Sequence, residues 1–411
     1  MADDAPIVAP ILSTPDSHVF EHASVPTRAD DVVRLDEEQL YVIYEIERTI
    51  TEIRAGKWKR VALQFPDTML VDAPRVYQQL SRGLSKARRD RGLGPSADND
   101  TASTQPITPD LAAQYVEEQL FILADTSYGA CCVDEVAAEH ADADVVVHYG
   151  RTCLSPTARL PVIYCFTKPF LDTEHMLEVF RNTYSDKDQK IVLMADIPYC
   201  SYLDGILEDL EHYGYTSVHV ASVKSDAASP LPNRTVPLSV EADKTSLSAW
   251  SIFHIAEPPA SLLLTLASRV GDIHIYSTSS PSSSSRTANQ ASLASSTIAL
   301  RRRYALLTSL STTAIFGILV NTLSVSNYLS MVEHVRTTIA AAGKKSYTFV
   351  VGKVNAAKIA NFAEVGGWVV VGCWESSLFD SRDFWKPVVT PFELELALLS
   401  LIHISEPTRP Y

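Results

Sequence analysis

Apolar residues recur along the chain at two spacings, and the alternation between them predicts the architecture. Leu40, Ile43, Ile46, Ile50 and Ile53 return at three- and four-residue steps, the period of one helix face. Gly56 ends that run, and 60–65 (RVALQF) is short, apolar and β-prone. Pro66 and Asp67 break it, and 71–84 reads as a crossover helix. The rhythm then repeats as strand 119–124, helix 134–140 and strands 144–148 and 161–166. A second unit reads as helix 173–182, strand 190–195, helix 202–212, strands 217–222 and 250–255, helix 260–269 and strand 272–276. A third reads as helix 298–309, strand 313–320, helix 327–342, strand 346–351, helix 355–364 and strand 368–371. Short apolar strands alternating with helices predict βαβ units and mostly parallel sheets covered on both faces.

Polar stretches divide this pattern. Residues 1–34 lack periodicity and read as a disordered leader. The domains predicted are 35–171, with a surface insertion at 88–109; 172–297, with flexible excursions at 224–244 and 277–296; and 298–401. Three α/β units of similar size suggest an internal triplication. The last ten residues (IHISEPTRPY) are atypical and read as a truncated or misjoined end.

Composition narrows the function. With 46% hydrophobic and 20% charged residues most of the chain can bury a core, and the net charge of −14 disfavours a protein built to grip nucleic-acid phosphates. No apolar run reaches the length of a membrane helix and no secretory leader opens the chain, so the expected location is the cytoplasm. The six cysteines are then expected to be reduced, and none falls in a C-x-x-C pair.

Parallel sheets carry their chemistry in loops at the carboxyl ends of strands. The loop 125–134 (DTSYGACCVD) holds Cys131 and Cys132, with Gly129 and Ala130 permitting close backbone approach. If the pair opens a helix, its N-terminus favours thiolate. Cys153 follows 144–148, and Cys373 follows 368–371 at the matching position of the third unit. Each cysteine alone also reads as a small buried hydrophobe. Cys165 reads as core, as does most of the character of Cys200. His148 reads as a packed strand-end histidine, and Arg301–Arg303 as a solvated helix face or a site for an acidic group. Three strand-end thiolates suit a 4Fe-4S cluster with one iron open to substrate or S-adenosylmethionine, and zinc held by three cysteines and His148 competes with it.

Several segments carry a resemblance: DTSYGACCVD (125–134), VVVHYGRTCLSP (145–156), LPVIYCF (160–166) and VVGCWESSL (370–378). They are joined by KWKRVALQFPDTMLVDAP (57–74), LRRRYALLT (300–308), FGILVNTLS (316–324) and VVTPFEL (388–394). From about Leu35 to Leu399 the chain resembles the diphthamide biosynthesis family, and CCVDEVAAEH with RTCLSP is more like that family's second, auxiliary subunit than its first. The resemblance implies three Rossmann-like domains around a central 4Fe-4S site. It also implies a heterodimer with a catalytic first subunit that moves the 3-amino-3-carboxypropyl group of S-adenosylmethionine, by radical chemistry, onto a histidine of translation elongation factor two. The second subunit's implied part is auxiliary: it binds its own cluster and helps keep the catalytic one reduced, with a small electron-donor protein and its reductase as further partners, no direct nucleic-acid contact and no membrane.

Carried over by residue, the implied metal ligands are Cys132 (with Cys131 as its substitute), Cys153 and Cys373, and no catalytic residue is assigned. Adjacent side chains at a turn normally diverge, so one of Cys131 and Cys132 is expected to reach the metal. The middle domain lacks a cysteine in a setting like the catalytic subunit's ligand, with Cys200 only a loose candidate. A metal-free partner that merely stabilises the catalytic subunit is the alternative.

Overall fold

The structure, a computed structural model, describes residues 35–90, 117–123, 130–226, 228–267, 269–278, 291–294, 297–352, 354–378 and 384–404. The leader 1–34, most of the insertion 88–109, Gly129, most of 277–296 and residues 405–411 lie outside the described residues. The described residues from Tyr41 onward form one compact unit.

Three sheets organise that unit. The first orders its strands β2-β1-β3-β4: β1 (Arg60–Gln64), β2 (Gln119–Leu123), β3 (Val145–Tyr149) and β4 (Val162–Cys165). The second runs β6-β5-β7-β8-β9, from β5 (Ile191–Ala195), β6 (Val218–Val220), β7 (Ser251–Ile255), β8 (Ile273–Tyr276) and β9 (Ser292–Leu293). The third runs β11-β10-β12-β13, from β10 (Ile315–Val320), β11 (Lys345–Val350), β12 (Gly367–Val371) and β13 (Val388–Val389). All pairings are parallel except β8 with β9. The α/β class with mostly parallel sheets is thus as expected. Each sheet places its second strand, in chain order, at one edge beside its first, with the third on the other side, so the suspected triplication shows in topology.

The central strands explain why these sequences fold so. In β3, β5, β7 and β12 every residue is buried, because helices cover both faces. The edge strand β11 instead has only exposed and half-buried positions. Parallel register aligns strand ends: Gln64 sits beside His148, and Val320 beside Val371.

Several expectations need correction. The first predicted helix is two, Glu37–Ile43 and Ile46–Ala55, separated where Glu45 turns left-handed (φ 50°). The helix expected over 71–84 is Ala73–Arg89 and runs into the predicted insertion, its basic last turn suiting a helix C-terminus. The helix expected over 355–364 is only Ala356–Ala360. The polar stretch 224–244 is built into the fold: Val223 bridges Arg234, and Leu238–Ala242 is helical. The Asp226 N–H donates to Asn233 Oδ1 and the Asn233 N–H donates to Asp226 O, which makes that return. The close of the Ser-rich stretch supplies β9. Residues 402–404 continue the helix Pro391–Ile404. No helix among the described residues is long and apolar enough to cross a membrane.

Candidate metal centre

The carboxyl ends of β2, β3 and β12 deliver four thiols to one place. Cys131 and Cys132 follow β2, Cys153 follows β3 and Cys373 follows β12, and their sulfurs all lie within 4.8 Å of one another. Cys131 Sγ is 3.9 Å from both Cys132 Sγ and Cys373 Sγ. Cys132, Cys153 and Cys373 are buried, and Leu323, Val325 and Trp374 pack around them.

Local hydrogen bonds explain how each thiol is aimed. The side chain of Gln64, the last residue of β1, donates to Cys132 O at 2.8 Å and accepts the Asp134 N–H at 2.9 Å. Cys131 O accepts the Cys153 N–H at 3.0 Å and the Thr152 hydroxyl at 3.2 Å. Cys153 O takes two donors from distant segments, Asn233 Nδ2 and Trp374 Nε1, each at 2.7 Å. Arg151 Nε–H donates to both carboxylate oxygens of Asp196 (2.9 and 3.0 Å), and the guanidinium also pairs with Glu375. The backbone N–H of Ser376 donates to Cys373 Sγ at 3.1 Å, and Asn321 Nδ2 holds Ser376 O at the same distance. A methyl group at Gly372 would lie 1.8 Å from Asn321 Oδ1, so any side chain there would displace that amide.

The paired cysteines do not open a helix. The helix is Glu135–His140, capped by Asp134, whose carboxylate accepts the Ala137 N–H. Its N-terminus therefore does not set the thiol chemistry; the thiols set each other's. Hydrogen bonds from Cys132, Cys153 and Cys373, with burial, push the Cys131 thiol up. The bond with Cys131 pulls Cys132 down, but contacts with Cys153 and Cys373 and burial outweigh it. Cys373 is pulled well below the ordinary thiol range by hydrogen bonds from Cys131, Cys132 and Cys153, with Ser376 adding to them against burial.

Other candidates lie elsewhere. His148 is fully buried with Nε2 3.2 Å from Ala130 O, and burial lowers its pKa to about 4. It does not belong to the group of mutually close ligand atoms. Cys165 is core, 3.2 Å from Thr49 Oγ1, and burial pushes its thiol up to about 12. Cys200 turns back to Ala195 O and Asp196 O, with burial raising its thiol. Arg303, read as part of a solvated face or as meeting an acidic group, is buried and pairs with Glu393. The expectation that Cys131 and Cys132 diverge fails, since their carbonyls are held by different segments and both sulfurs enter the same space. Sequence reasoning missed Gln64, Asn233 and Asp196; a glutamine ending an apolar strand was the one visible signal.

Four converging thiols are the donor set of both a thiolate-bound iron–sulfur cluster and a single tetrahedral zinc. A zinc–sulfur bond of about 2.3 Å puts the sulfurs about 3.8 Å apart, close to the spacing here. Four separate irons need wider spacing, so a cluster fits the donor chemistry and requires the thiols to spread.

Metal-competent thiols at the strand ends of three-sheet α/β architecture define a thiolate-centre protein, and comparison supplies its family. The chain belongs to the family described as "Putative diphthamide synthesis protein", which it matches over residues 65–406. It is 56% identical over 396 residues to the 2-(3-amino-3-carboxypropyl)histidine synthase subunit 2 of Emericella nidulans, covering 95% of this chain and 67% of that one. The zebrafish (Danio rerio) protein of the same description is 35% identical, over 87% of this chain and 68% of its own. Among solved structures, the crystal structure of Dph2 from Pyrococcus horikoshii with a 4Fe-4S cluster matches with a TM-score of 0.59 at 18% identity, covering 86% of this chain and 90% of that one. At that identity it shows the fold.

Proposed function

We propose that this chain is the auxiliary iron–sulfur subunit of a heterodimeric 2-(3-amino-3-carboxypropyl)histidine synthase, acting in the first step of diphthamide formation. The observation that carries the reading is the convergence of buried thiols from three strand ends. The names of its relatives and the 4Fe-4S cluster in the Pyrococcus horikoshii Dph2 crystal structure support it. Cys132, Cys153 and Cys373 are the ligands in this reading, with Cys131 able to replace Cys132. The units 35–171, 172–297 and 298–401 are taken as domains, each built on one sheet. Within the complex the partner subunit performs the S-adenosylmethionine-dependent transfer onto a histidine of elongation factor two, in the cytoplasm. A small electron-donor protein and its reductase supply electrons.

A bound cluster would supply one-electron transfer where water is excluded, the service a radical step needs. The protein's share is to bind and shield it. Leu323, Val325 and Trp374 exclude water, the Ser376 N–H stabilises negative charge on the Cys373 sulfur, and the two donors to Cys153 O fix that ligand's loop. Hydrogen bonds to ligand sulfur tune reduction potential.

Anaerobic purification with iron and sulfide counting, with the heterodimer's absorption spectrum, tests the reading. Expected is a reducible cluster that is lost when Cys132, Cys153 and Cys373 are replaced together, with loss of transferase activity under limiting reductant. Activity that survives the triple replacement would leave a metal-free partner. The sulfur spacing favours one second reading, a single zinc ion, which metal analysis separates from the first.

A further inference from the structure

We infer that Cys131 and Cys132 ligate together, so the centre is closed by four thiolates and offers S-adenosylmethionine no metal position in this chain. This rests on the metal reading above and sharpens it from three ligands to four.

Two observations carry it. Both members of the pair are held by their carbonyls, Cys131 by the 152–153 segment and Cys132 by Gln64, which turns both sulfurs into the same space. Cys131 bridges the sheets, lying 3.9 Å from Cys132 Sγ on one side and Cys373 Sγ on the other. Metal centres that bind substrate keep an open position, whereas centres closed by four protein ligands do not. The same holds for a 4Fe-4S cluster, in which a fourth thiolate caps the iron that three would leave free.

The test uses the whole chain, reconstituted anaerobically, as wild type, Cys131→Ala and Cys132→Ala, with circular dichroism to confirm folding. Each sample is oxidised with ferricyanide, counted for iron, and read by electron paramagnetic resonance before and after reduction, with and without S-adenosylmethionine. Wild type is expected to keep four irons and show a reduced spectrum that S-adenosylmethionine leaves unchanged. Each single variant is expected to shed one iron and show the oxidised three-iron signal. A Cys131→Ala chain that resists oxidation like wild type, or a wild-type spectrum that S-adenosylmethionine perturbs, overturns the fourth ligand while leaving the cluster intact. Zinc in place of iron and sulfide overturns the cluster reading alone, provided Cys131→Ala weakens zinc retention against a chelator by about tenfold or more. Equal zinc retention by both overturns the fourth ligand, and no bound metal overturns both.

Discussion

The middle sheet and the two others share a strand order yet treat the metal centre differently. The third strand in chain order is β3 in the first sheet, β7 in the second and β12 in the third. Cys153 follows β3 and Cys373 follows β12, but β7 runs into Ala256, Glu257, Pro258 and Pro259. The middle sheet reaches the site through polar groups instead: Asn233 holds Cys153 O, and Asp196 holds Arg151. The same scaffold can therefore present sulfur to a cofactor or brace the sulfur that others present. The difference lies in a few residues past a strand end, where the backbone is free of the ladder.

The strongest way to break this contrast is the triple replacement of Cys132, Cys153 and Cys373 by Ala. Metal content should fall to background while the three sheets persist, which elemental analysis and circular dichroism would report together. Next comes Arg303→Met, which separates the third sheet's own stability from the metal's. It leaves the half-buried Glu393 carboxylate with only its Thr390 donors, and unfolding should become easier by about 3 kcal/mol with metal content unaltered.

The middle sheet's brace is tested by Asn233→Ala. Trp374 still satisfies Cys153 O, so the loss is the bond to that carbonyl, the bond accepted from the Asp226 N–H and the penalty for alanine at φ 55°, about 2–3 kcal/mol in denaturant melts.

A comparable effect depends on pH. His148 and His254 occupy matching penultimate positions of β3 and β7, both fully buried, and burial lowers both pKa values to about 4. Above pH 6.5 folded and unfolded chains both hold these rings neutral. Below it the unfolded chain takes up protons that the folded chain refuses, so stability falls as pH drops from 6.5 towards 4. His254→Gln should therefore shrink the difference in unfolding free energy between pH 7 and pH 5 by about 2 kcal/mol. The smallest effect is at the surface, where His334→Ala removes an exposed pair with Glu395 and should cost under about 1 kcal/mol, vanishing in high salt.

Much of this was legible in the chain because burial on both sheet faces forces unbroken apolar runs such as Ile191–Ala195, which only a covered parallel strand explains. Cys153 and Cys373 were legible for a related reason, since chemistry in such sheets gathers past strand ends. Less visible were features decided by contacts across the chain. Glu45 breaks a helix whose periodicity continues through it, and nothing local marks Asn233 as a partner of Cys153. The turn at Cys131 and Cys132 was misjudged because the expected divergence of neighbours assumes an unconstrained backbone, whereas Gln64 and the 152–153 segment pin both carbonyls.

The tight contact between Gly372 and Asn321 bears on redesign. Any larger residue at 372 would expel the amide that steadies the turn bearing Cys373, so that sulfur cannot be retuned from its preceding neighbour. Attempts to convert this centre into one with a vacant coordination site would have to begin across the cavity, at the vicinal thiols.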